Sequence, residues 1–164
     1  MTIEKEDLKL LDKAGQVLSR KKSTIAVAES VTSGNVQAAF SLAKNAITFF
    51  QGGITVYNIG QKCRHLFIEP IHAEECNCVS KSVSDQMALQ VCRLFSSDYG
   101  IGITGYASPV PEENIQKLFA FISIAKGNRI VLSKKVPARQ AEPLAVQLYY
   151  TSRVIKMLAS VLGK

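Results

Sequence analysis

Hydrophobic and polar positions follow two different periods along the chain. Residues 7–20 carry apolar side chains at intervals of three and four, the spacing of one face of an α-helix: Leu8, Leu11, Ala14, Val17 and Leu18. Residues 24–28 instead form a short and almost wholly apolar run, which is typical of a strand covered on both faces. The two segments are therefore predicted to be a helix and a central strand.

The same two periods divide the rest of the chain into alternating elements. We predict further strands over residues 49–57, 99–104, 118–125 and 130–136. We predict further helices over residues 34–43, 59–66 and 141–162, and one that is capped by Ser82 or Ser84 and ends near residue 95. Pro70 is expected to turn the chain before the capped helix.

Helices that alternate with strands predict an α/β fold, a three-layer α/β/α sandwich. Residues 126–129 contain the Gly and Asn of a hairpin turn, so the last two strands pair with each other. This hairpin makes the central sheet mixed and mostly parallel instead of wholly parallel. Gly52 and Gly53 interrupt the strand over residues 49–57, which predicts a bulge or a close approach of another backbone.

Composition narrows the class of protein. The 164 residues fit a single domain over residues 1–164. Apolar residues make up 47% and charged residues 20%, which favours a globular protein over a disordered one. No apolar run approaches the ~18–20 residues of a membrane span, and the first residues are charged where a signal peptide would be apolar. We therefore expect a soluble, cytoplasmic protein with no membrane contact.

The net charge of +7 admits two interpretations. Basic residues are dispersed along the chain, and their adjacent groups are short: Lys21-Lys22, next to Arg20, and Lys134-Lys135. The chain has no Trp, and its aromatic residues do not alternate with basic ones as a base-stacking surface requires. The charge therefore indicates solubility, or a mild attraction for anionic small molecules, in preference to nucleic-acid binding.

The cysteines indicate thiols more strongly than a metal site. Cys76 and Cys78 form a C-x-C pair, but no second pair follows at the spacing of a zinc site. His72 is the only histidine close to that pair. We expect reduced, partly buried thiols and no metal, with a structural metal as the weaker alternative.

Three segments are predicted to end at the carboxyl edge of the sheet, where open α/β folds bind ligands. Ser30 follows the first strand, where free backbone N–H groups could hold an anion, although Ser30 or Thr32 could instead only cap the next helix. Lys62 could act as a base if burial lowers its pKa, or it could be a solvated surface lysine. Thr104 and Gly105 end a third strand and could hold a phosphate or an amide.

Three fragments carry a resemblance to a known family. They are AESVTSG over residues 28–34, GGITVY over residues 52–57 followed by Lys62, and GIGITGYASP over residues 100–109. Their order and spacing resemble the motifs A-E-S-C-T-G-G, G-G-x-x-x-Y-x-x-x-x-K and G-[IV]-[AG]-[VI]-T-G-x-A-G-P of the C-terminal domain family of the competence/damage-inducible protein CinA. The resemblance covers about residues 5–160. That family includes stand-alone nicotinamide-nucleotide amidases.

The resemblance implies a fold, a reaction and an assembly. It implies a three-layer α/β/α domain that hydrolyses nicotinamide mononucleotide to nicotinate mononucleotide and ammonia, with no metal and no cofactor. It implies Ser30 as the nucleophile, Lys62 as the base that takes its proton, and Tyr57 as an orienting or proton-relay partner. The implied partners are a small-molecule nucleotide substrate and other copies of the chain in a homo-oligomer.

The resemblance also implies which residues contact the substrate. Backbone N–H groups around Thr32, Ser33 and Gly34 would bind the oxyanion of the tetrahedral intermediate. Thr104 and Gly105 would face the nucleotide.

The sequence departs from the family pattern in the segments expected to hold the nucleotide. Ser33 stands where the pattern has a glycine that permits close approach or a positive φ. Residues 108–113 replace a glycine-rich loop with two prolines and two carboxylates, which remove donors and repel a phosphate. These departures leave an alternative function open, that of a CinA-like domain without turnover that acts as a nucleotide-binding or interaction module.

Overall fold

The computed structural model describes residues 3–163, in which five strands form one mixed sheet. The strands are β1 (Ile25–Glu29), β2 (Phe50–Thr55), β3 (Tyr99–Gly105), β4 (Leu118–Lys126) and β5 (Arg129–Ala138), in the order β2-β1-β3-β4-β5. β1 runs parallel to β2 and β3, whereas β4 is antiparallel to both β3 and β5. Four of the five strands therefore point in one direction, and the predicted mixed, mostly parallel sheet is confirmed.

Within the described residues, six α-helices cover the two faces of the sheet. They are α1 (Lys5–Arg20), α2 (Asn35–Ser41), α3 (Ile59–Leu66), α4 (Pro70–Glu75), α5 (Lys81–Leu94) and α6 (Pro143–Leu162). One apolar layer joins α1, α2 and α6 to the sheet, and a second joins α3, α4 and α5 to its other face. The three-layer sandwich is confirmed. None of the helices within residues 3–163 has the length and apolar character needed to cross a membrane.

β1 supplies side chains to both apolar layers. Its five residues are all buried. Ile25 and Val27 pack in the layer of α1, α2 and α6, whereas Ala26 and Ala28 pack in the layer of α3, α4 and α5. Because successive side chains of a strand point to opposite faces, a strand covered on both faces must be apolar throughout. This is why its continuous apolar run predicted a central position.

The prediction of a turn at Pro70 is wrong, because Pro70 begins helix α4. Proline is tolerated in the first turn of a helix, where its missing N–H would have no partner in any case. The side chain of Glu69 accepts hydrogen bonds from the backbone N–H groups of Ile71 and His72 and so caps the helix. The sequence therefore contains a start signal for this helix, a capping Glu69 followed by Pro70, which was interpreted as a turn.

The predicted cap of α5 is also wrong. Ser80, and neither Ser82 nor Ser84, accepts a hydrogen bond from the backbone N–H of Val83. Serines at alternate positions offer the same capping chemistry, so the choice between them depends on where the chain leaves the preceding loop. The helix itself lies where the hydrophobic pattern predicted it.

Gly52 and Gly53 have the two roles that the sequence predicted as alternatives. Gly52 has a φ of +119°, and the register between β1 and β2 shifts beside it, as in a β-bulge. At Gly53 an added Cβ would lie 2.5 Å from the carbonyl oxygen of Val27 and 2.7 Å from Cγ of Gln37. The second glycine therefore leaves room for the side chain of Gln37 from helix α2.

Candidate active site

Ser30 and Lys62 come together at the carboxyl edge of the parallel strands. Ser30 directly follows β1, and Lys62 lies in α3, the helix after β2. Lys62 Nζ lies 3.0 Å from Ser30 Oγ. Lys62 is 2% exposed and Ser30 is 7% exposed. Lys62 is therefore not a solvated surface residue. The N-cap position of helix α2 is Gly34, and no side chain there caps the helix, so Ser30 does not serve as its cap.

Burial determines the proton affinity of Lys62. Removing an ammonium group from water disfavours its charged form, and burial lowers the pKa of Lys62 below its ordinary value. The thiols of Cys78 and Cys63 act on this pKa in the opposite direction and less strongly. A lowered pKa increases the fraction of neutral amine near neutral pH. A neutral amine can accept the proton of a hydroxyl group.

Tyr57 contacts Lys62 through its backbone. Lys62 Nζ donates to the carbonyl oxygen of Tyr57 at 3.3 Å. The side chain of Tyr57 is 74% exposed and lines the cavity next to the pair. The carbonyl group can therefore orient the lysine. In the described part of the chain the phenol hydroxyl makes no hydrogen bond to Ser30 or Lys62, so the predicted proton relay has no contact to carry it.

A tight turn follows Ser30 and leaves backbone N–H groups free. The N–H of Ser33 donates to the carbonyl oxygen of Ser30 at 3.1 Å, which closes a four-residue turn. The N–H of Ser30 donates to the carbonyl oxygen of Ile103 at 3.1 Å and fixes the turn to β3. Among the described residues, the N–H groups of Val31 and Thr32 find no protein acceptor. Free N–H groups beside a serine can form an oxyanion site.

The amino-terminal end of α2 is already occupied by a group of this chain. The carboxylate of Glu29, which is 0% exposed, accepts hydrogen bonds from the backbone N–H groups of Val36 at 3.2 Å and Gln37 at 3.0 Å. The hydroxyl of Thr32 donates to the same carboxylate at 2.5 Å. The N–H groups of Val36 and Gln37 are therefore not free for a ligand anion, which leaves the N–H groups beside Ser30 as the predicted anion site.

Thr32, Ser33 and Gly34 are not among the residues that line the cavity. Thr32 is buried against Glu29, and Ser33 is exposed with a φ of +49°, a left-handed conformation that residues with a Cβ rarely adopt. Gly34 has a φ of +96° and precedes α2. Their predicted contact with the substrate is therefore limited to backbone groups, of which the N–H of Thr32 lies nearest to Ser30 in sequence.

Ser30 and Lys62 line a cavity of about 630 Å³. Thr104 and Gly105, at the end of β3, also line it. The hydroxyl of Thr104 donates to the carbonyl oxygen of Cys78 at 2.8 Å and the residue is 1% exposed, so Thr104 shapes the wall without offering a free donor. Other lining residues come from the turn after β1, the segment that leads into α3, the end of α4 and the α4–α5 connection, the loop after β3 and the first turns of α6.

The α4–α5 connection and the loop after β3 are bonded to each other across one side of the cavity. Asn77 Nδ2 donates to the hydroxyl oxygen of Tyr106 at 3.4 Å and to the carboxylate of Glu113. Asn77 and Cys78 both have positive φ values, +46° and +58°. The role of Asn77 could not be found from the sequence, because its partners are 29 and 36 positions away. An Asn in a loop is the single local signal, since Asn tolerates positive φ better than most residues.

The cavity carries few charged side chains. Among the lining residues, Lys62 is the one basic side chain and Glu74 the one acidic side chain. Glu112 and Glu113, which were expected to repel a phosphate, are not among the lining residues. The two prolines of this loop provide no backbone N–H donors, and its two carboxylates lie outside the cavity.

The four cysteines are free thiols. Cys76 Sγ lies 3.8 Å from Nε2 of His72. Cys78 lines the cavity, and burial raises the pKa of its thiol, which favours the protonated form. Within residues 3–163, no group of three or more His, Cys, Asp or Glu side chains is arranged to hold a metal ion.

Together, the fold and the site define a class of protein, an α/β/α domain with a buried serine–lysine pair at the carboxyl edge of its parallel strands. The family model of the CinA C-terminal domain matches residues 7–162. The chain belongs to this family.

Curated relatives carry related names. A putative competence-damage inducible protein of Streptococcus equi subsp. zooepidemicus is 36% identical over 131 residues, which cover 80% of this chain and 31% of the relative. A CinA-like protein of Picosynechococcus is 35% identical over 104 residues, which cover 63% of this chain and 25% of the relative. The chain thus spans about a third or less of the length of these relatives.

Solved structures share the fold at low sequence identity. A CinA superfamily protein from Klebsiella pneumoniae matches with a TM-score of 0.89 and 20% identity, covering 96% of this chain and 98% of that one. A competence/damage inducible protein from Agrobacterium tumefaciens matches with a TM-score of 0.89 and 14% identity, covering 98% of each chain. At these identities the likeness shows the fold alone.

Proposed function

We propose that this chain is an amidohydrolase that converts nicotinamide mononucleotide to nicotinate mononucleotide and ammonia. The observation that carries the proposal is the buried contact of 3.0 Å between Lys62 Nζ and Ser30 Oγ. A serine hydroxyl is a weak nucleophile, and a buried lysine with a lowered pKa can remove its proton. The choice of substrate rests on the resemblance to nicotinamide-nucleotide amidases.

The first half of the reaction forms an acyl-serine. Neutral Lys62 takes the proton of Ser30 as Oγ attacks the amide carbon, and the carbonyl oxygen becomes an oxyanion. The free N–H groups of Val31 and Thr32 are the donors available to stabilise that charge. Protonated Lys62 then gives its proton to the amide nitrogen. The carbon–nitrogen bond breaks, ammonia leaves, and an ester on Ser30 remains.

The second half of the reaction releases the acid. Lys62, again neutral, takes a proton from a water molecule whose oxygen attacks the ester carbon. The carbon–Oγ bond breaks, and Ser30 recovers its proton from Lys62. The nicotinate carboxylic group then leaves as a carboxylate. The second water proton passes to solvent. One amine thus serves as base and acid in both halves, which needs a pKa close to the working pH.

Backbone donors are available for the nucleotide phosphate. The N–H groups of Ala107 and Ser108 donate to no protein acceptor in the described part of the chain, and both residues line the cavity. Successive free N–H groups can bind phosphate oxygens without a cation. The phosphate would then lie at the loop after β3, with Thr104 and Gly105 beneath the nucleotide.

The proposal is tested by measuring ammonia and nicotinate mononucleotide released from nicotinamide mononucleotide. The Ser30→Ala variant should lose turnover by about 10³-fold or more, because removal of a nucleophile costs several orders of magnitude. Ser41→Ala, at an exposed serine in α2, is the matched control and should keep the wild-type rate. Retention of more than a tenth of the wild-type rate by Ser30→Ala would overturn the assignment of the nucleophile.

A second candidate function is a nucleotide-binding or interaction module without turnover. The observation that favours it is the charge of the cavity, in which Glu74 is the one acidic side chain and Lys62 the one basic side chain. Such a wall gives a phosphate little electrostatic attraction. Saturable binding of nicotinamide mononucleotide with no ammonia release, at high protein concentration, would support this function over hydrolysis.

A further inference from the structure

Glu29 is a buried carboxylate immediately before the serine, and the proposed chemistry assigns it no step. It is 0% exposed. Burial of a carboxylate is costly unless hydrogen bonds replace its water. Four donors do so: the hydroxyl of Thr32 at 2.5 Å, the N–H of Val36 at 3.2 Å, the N–H of Gln37 at 3.0 Å and the side-chain amide of Gln37 at 2.8 Å.

The two carboxylate oxygens join the serine turn to helix α2. Oε2 accepts from Thr32 and Val36, and Oε1 accepts from both donors of Gln37. The N-cap residue of helix α2 is Gly34, which has no side chain to cap the helix. Glu29 therefore supplies the acceptors that a capping side chain would provide. Because Glu29 ends β1, this bonding holds the start of α2 in place relative to the sheet.

The path of Gln37 provides independent support for this arrangement. Its side chain crosses β2 at Gly53, where an added Cβ would lie 2.7 Å from Gln37 Cγ. Beyond this point Gln37 Nε2 donates to Glu29 and also to the hydroxyl of Thr55 at 3.0 Å. Strand β2 therefore has a glycine, Gly53, at the position where the side chain of Gln37 needs space to reach Glu29.

We infer that Glu29 is a positioning residue for Ser30, an inference that rests on the proposed function. By holding Thr32, Glu29 keeps the turn after Ser30 closed and keeps the free N–H groups of Val31 and Thr32 fixed beside the nucleophile. Charge on the substrate oxygen develops only as the serine attacks. Glu29 therefore acts on kcat and leaves KM and the pKa of Lys62 largely unchanged.

The Glu29→Gln variant tests the inference, because it keeps the size of the side chain. One of its two terminal atoms becomes an NH₂ group, which then faces N–H or O–H donors instead of accepting from them. We expect kcat to fall by about 10- to 100-fold, because small misplacements of reacting groups lower a rate by factors of this size. We expect KM to stay within about twofold, since binding does not use the oxyanion donors. The pH at which the rate is half-maximal should not move.

Two comparisons separate positioning from a general loss of stability. Asp7→Asn changes another carboxylate that is 2% exposed and lies outside the cavity, and it should keep the wild-type kcat. Thr32→Val removes one donor to Glu29 and should lower kcat, whereas Thr32→Ser keeps the hydroxyl and should restore it. A Glu29→Gln protein that stays folded and keeps the wild-type kcat would overturn the inference.

Amide hydrogen exchange over residues 30–37 supplies a readout that does not depend on turnover. We expect the N–H groups of Val36 and Gln37 to exchange about tenfold faster or more in Glu29→Gln, because their acceptor is lost. If the wild-type protein releases no ammonia, the proposed function fails, and unchanged exchange would still overturn the positioning role. Faster exchange in that case supports Glu29 as the residue that holds the turn.

Discussion

Two sides of the cavity are built in different ways. The serine side consists of residues 29–37 and 57–62, and the loop side consists of residues 73–79 and 104–113. On the serine side Glu29, Ser30 and Lys62 are 0%, 7% and 2% exposed, and hydrogen bonds join each of them to a neighbouring element. On the loop side Asn77 and Glu74 are exposed, and Asn77 joins two loops. From this difference we expect the proposed chemistry to depend on the serine side and the choice of ligand to depend on the loop side.

On the serine side, removal of Lys62 should have the largest effect on catalysis. Lys62→Met should lower kcat by about 10²- to 10⁴-fold, the usual contribution of a general base. Its unfolding free energy at pH 7 should stay equal or rise by about 1–2 kcal/mol, because an ammonium group no longer loses its water in the core. Ammonia release and urea unfolding measure the two effects. A variant that is both active and less stable would contradict the account.

The pH dependence of the rate should report the pKa of Lys62. Because burial lowers the pKa of Lys62, the rate should rise about tenfold per pH unit on the acid side and level off at that native pKa. Between that pKa and the ordinary lysine value the unfolded chain binds more protons than the native one, so stability should rise with pH.

Urea unfolding of wild type and Lys62→Met across the same pH range checks the sign of this effect. The gap between the two proteins should close as the pH rises towards the ordinary lysine value. A constant gap would show that the pKa of Lys62 is not shifted by folding.

Much of the serine side could be predicted from the sequence. Ser30 and Lys62 each follow one of two parallel strands, and the carboxyl ends of parallel strands lie at one edge. The role of Glu29 could not be predicted, because a carboxylate at the end of a strand gives no sign of which way it folds. Only the placement of α2 over the sheet brings Val36 and Gln37 to it.

The loop side was largely beyond prediction for a different reason. Its bonds join residues far apart in sequence, such as Asn77 and Glu113, and no local period encodes them. Pro70 also concealed a helix, because the same residue ends some helices and begins others. The five strands were predicted well: β1 and β3 are almost wholly buried, which leaves a direct mark on the sequence, and β4 and β5 flank a recognisable hairpin turn.

A change on the loop side should affect binding more than chemistry. Asn77→Ala removes the bonds that hold the loop after β3 to the α4–α5 connection. We expect KM for nicotinamide mononucleotide to rise by about three- to tenfold, the worth of one or two hydrogen bonds. The kcat should stay within about twofold. Equal losses in Asn77→Ala and Glu29→Gln, both in kcat, would remove the distinction between the two sides.

The smallest effect is expected at Ser33, at the edge of the serine side. Its φ of +49° is less strained for glycine, which favours the variant. Glycine also loses more backbone conformational entropy on folding, which disfavours it. The two effects oppose each other, so Ser33→Gly should change the unfolding free energy by less than about 1 kcal/mol. The kcat should not change, because the side chain of Ser33 lies outside the cavity. Urea unfolding and steady-state kinetics measure both quantities.

The most direct test of the serine–lysine account is to add hydroxylamine to the wild-type reaction. An ester on Ser30 can be attacked by hydroxylamine as well as by water, and Lys62 can serve either nucleophile. The account predicts that the hydroxamate of the substrate forms at the expense of nicotinate mononucleotide and increases with hydroxylamine concentration. Ammonia release with the carboxylate as the sole product at every hydroxylamine concentration would contradict the acyl-serine and leave Lys62 activating water directly.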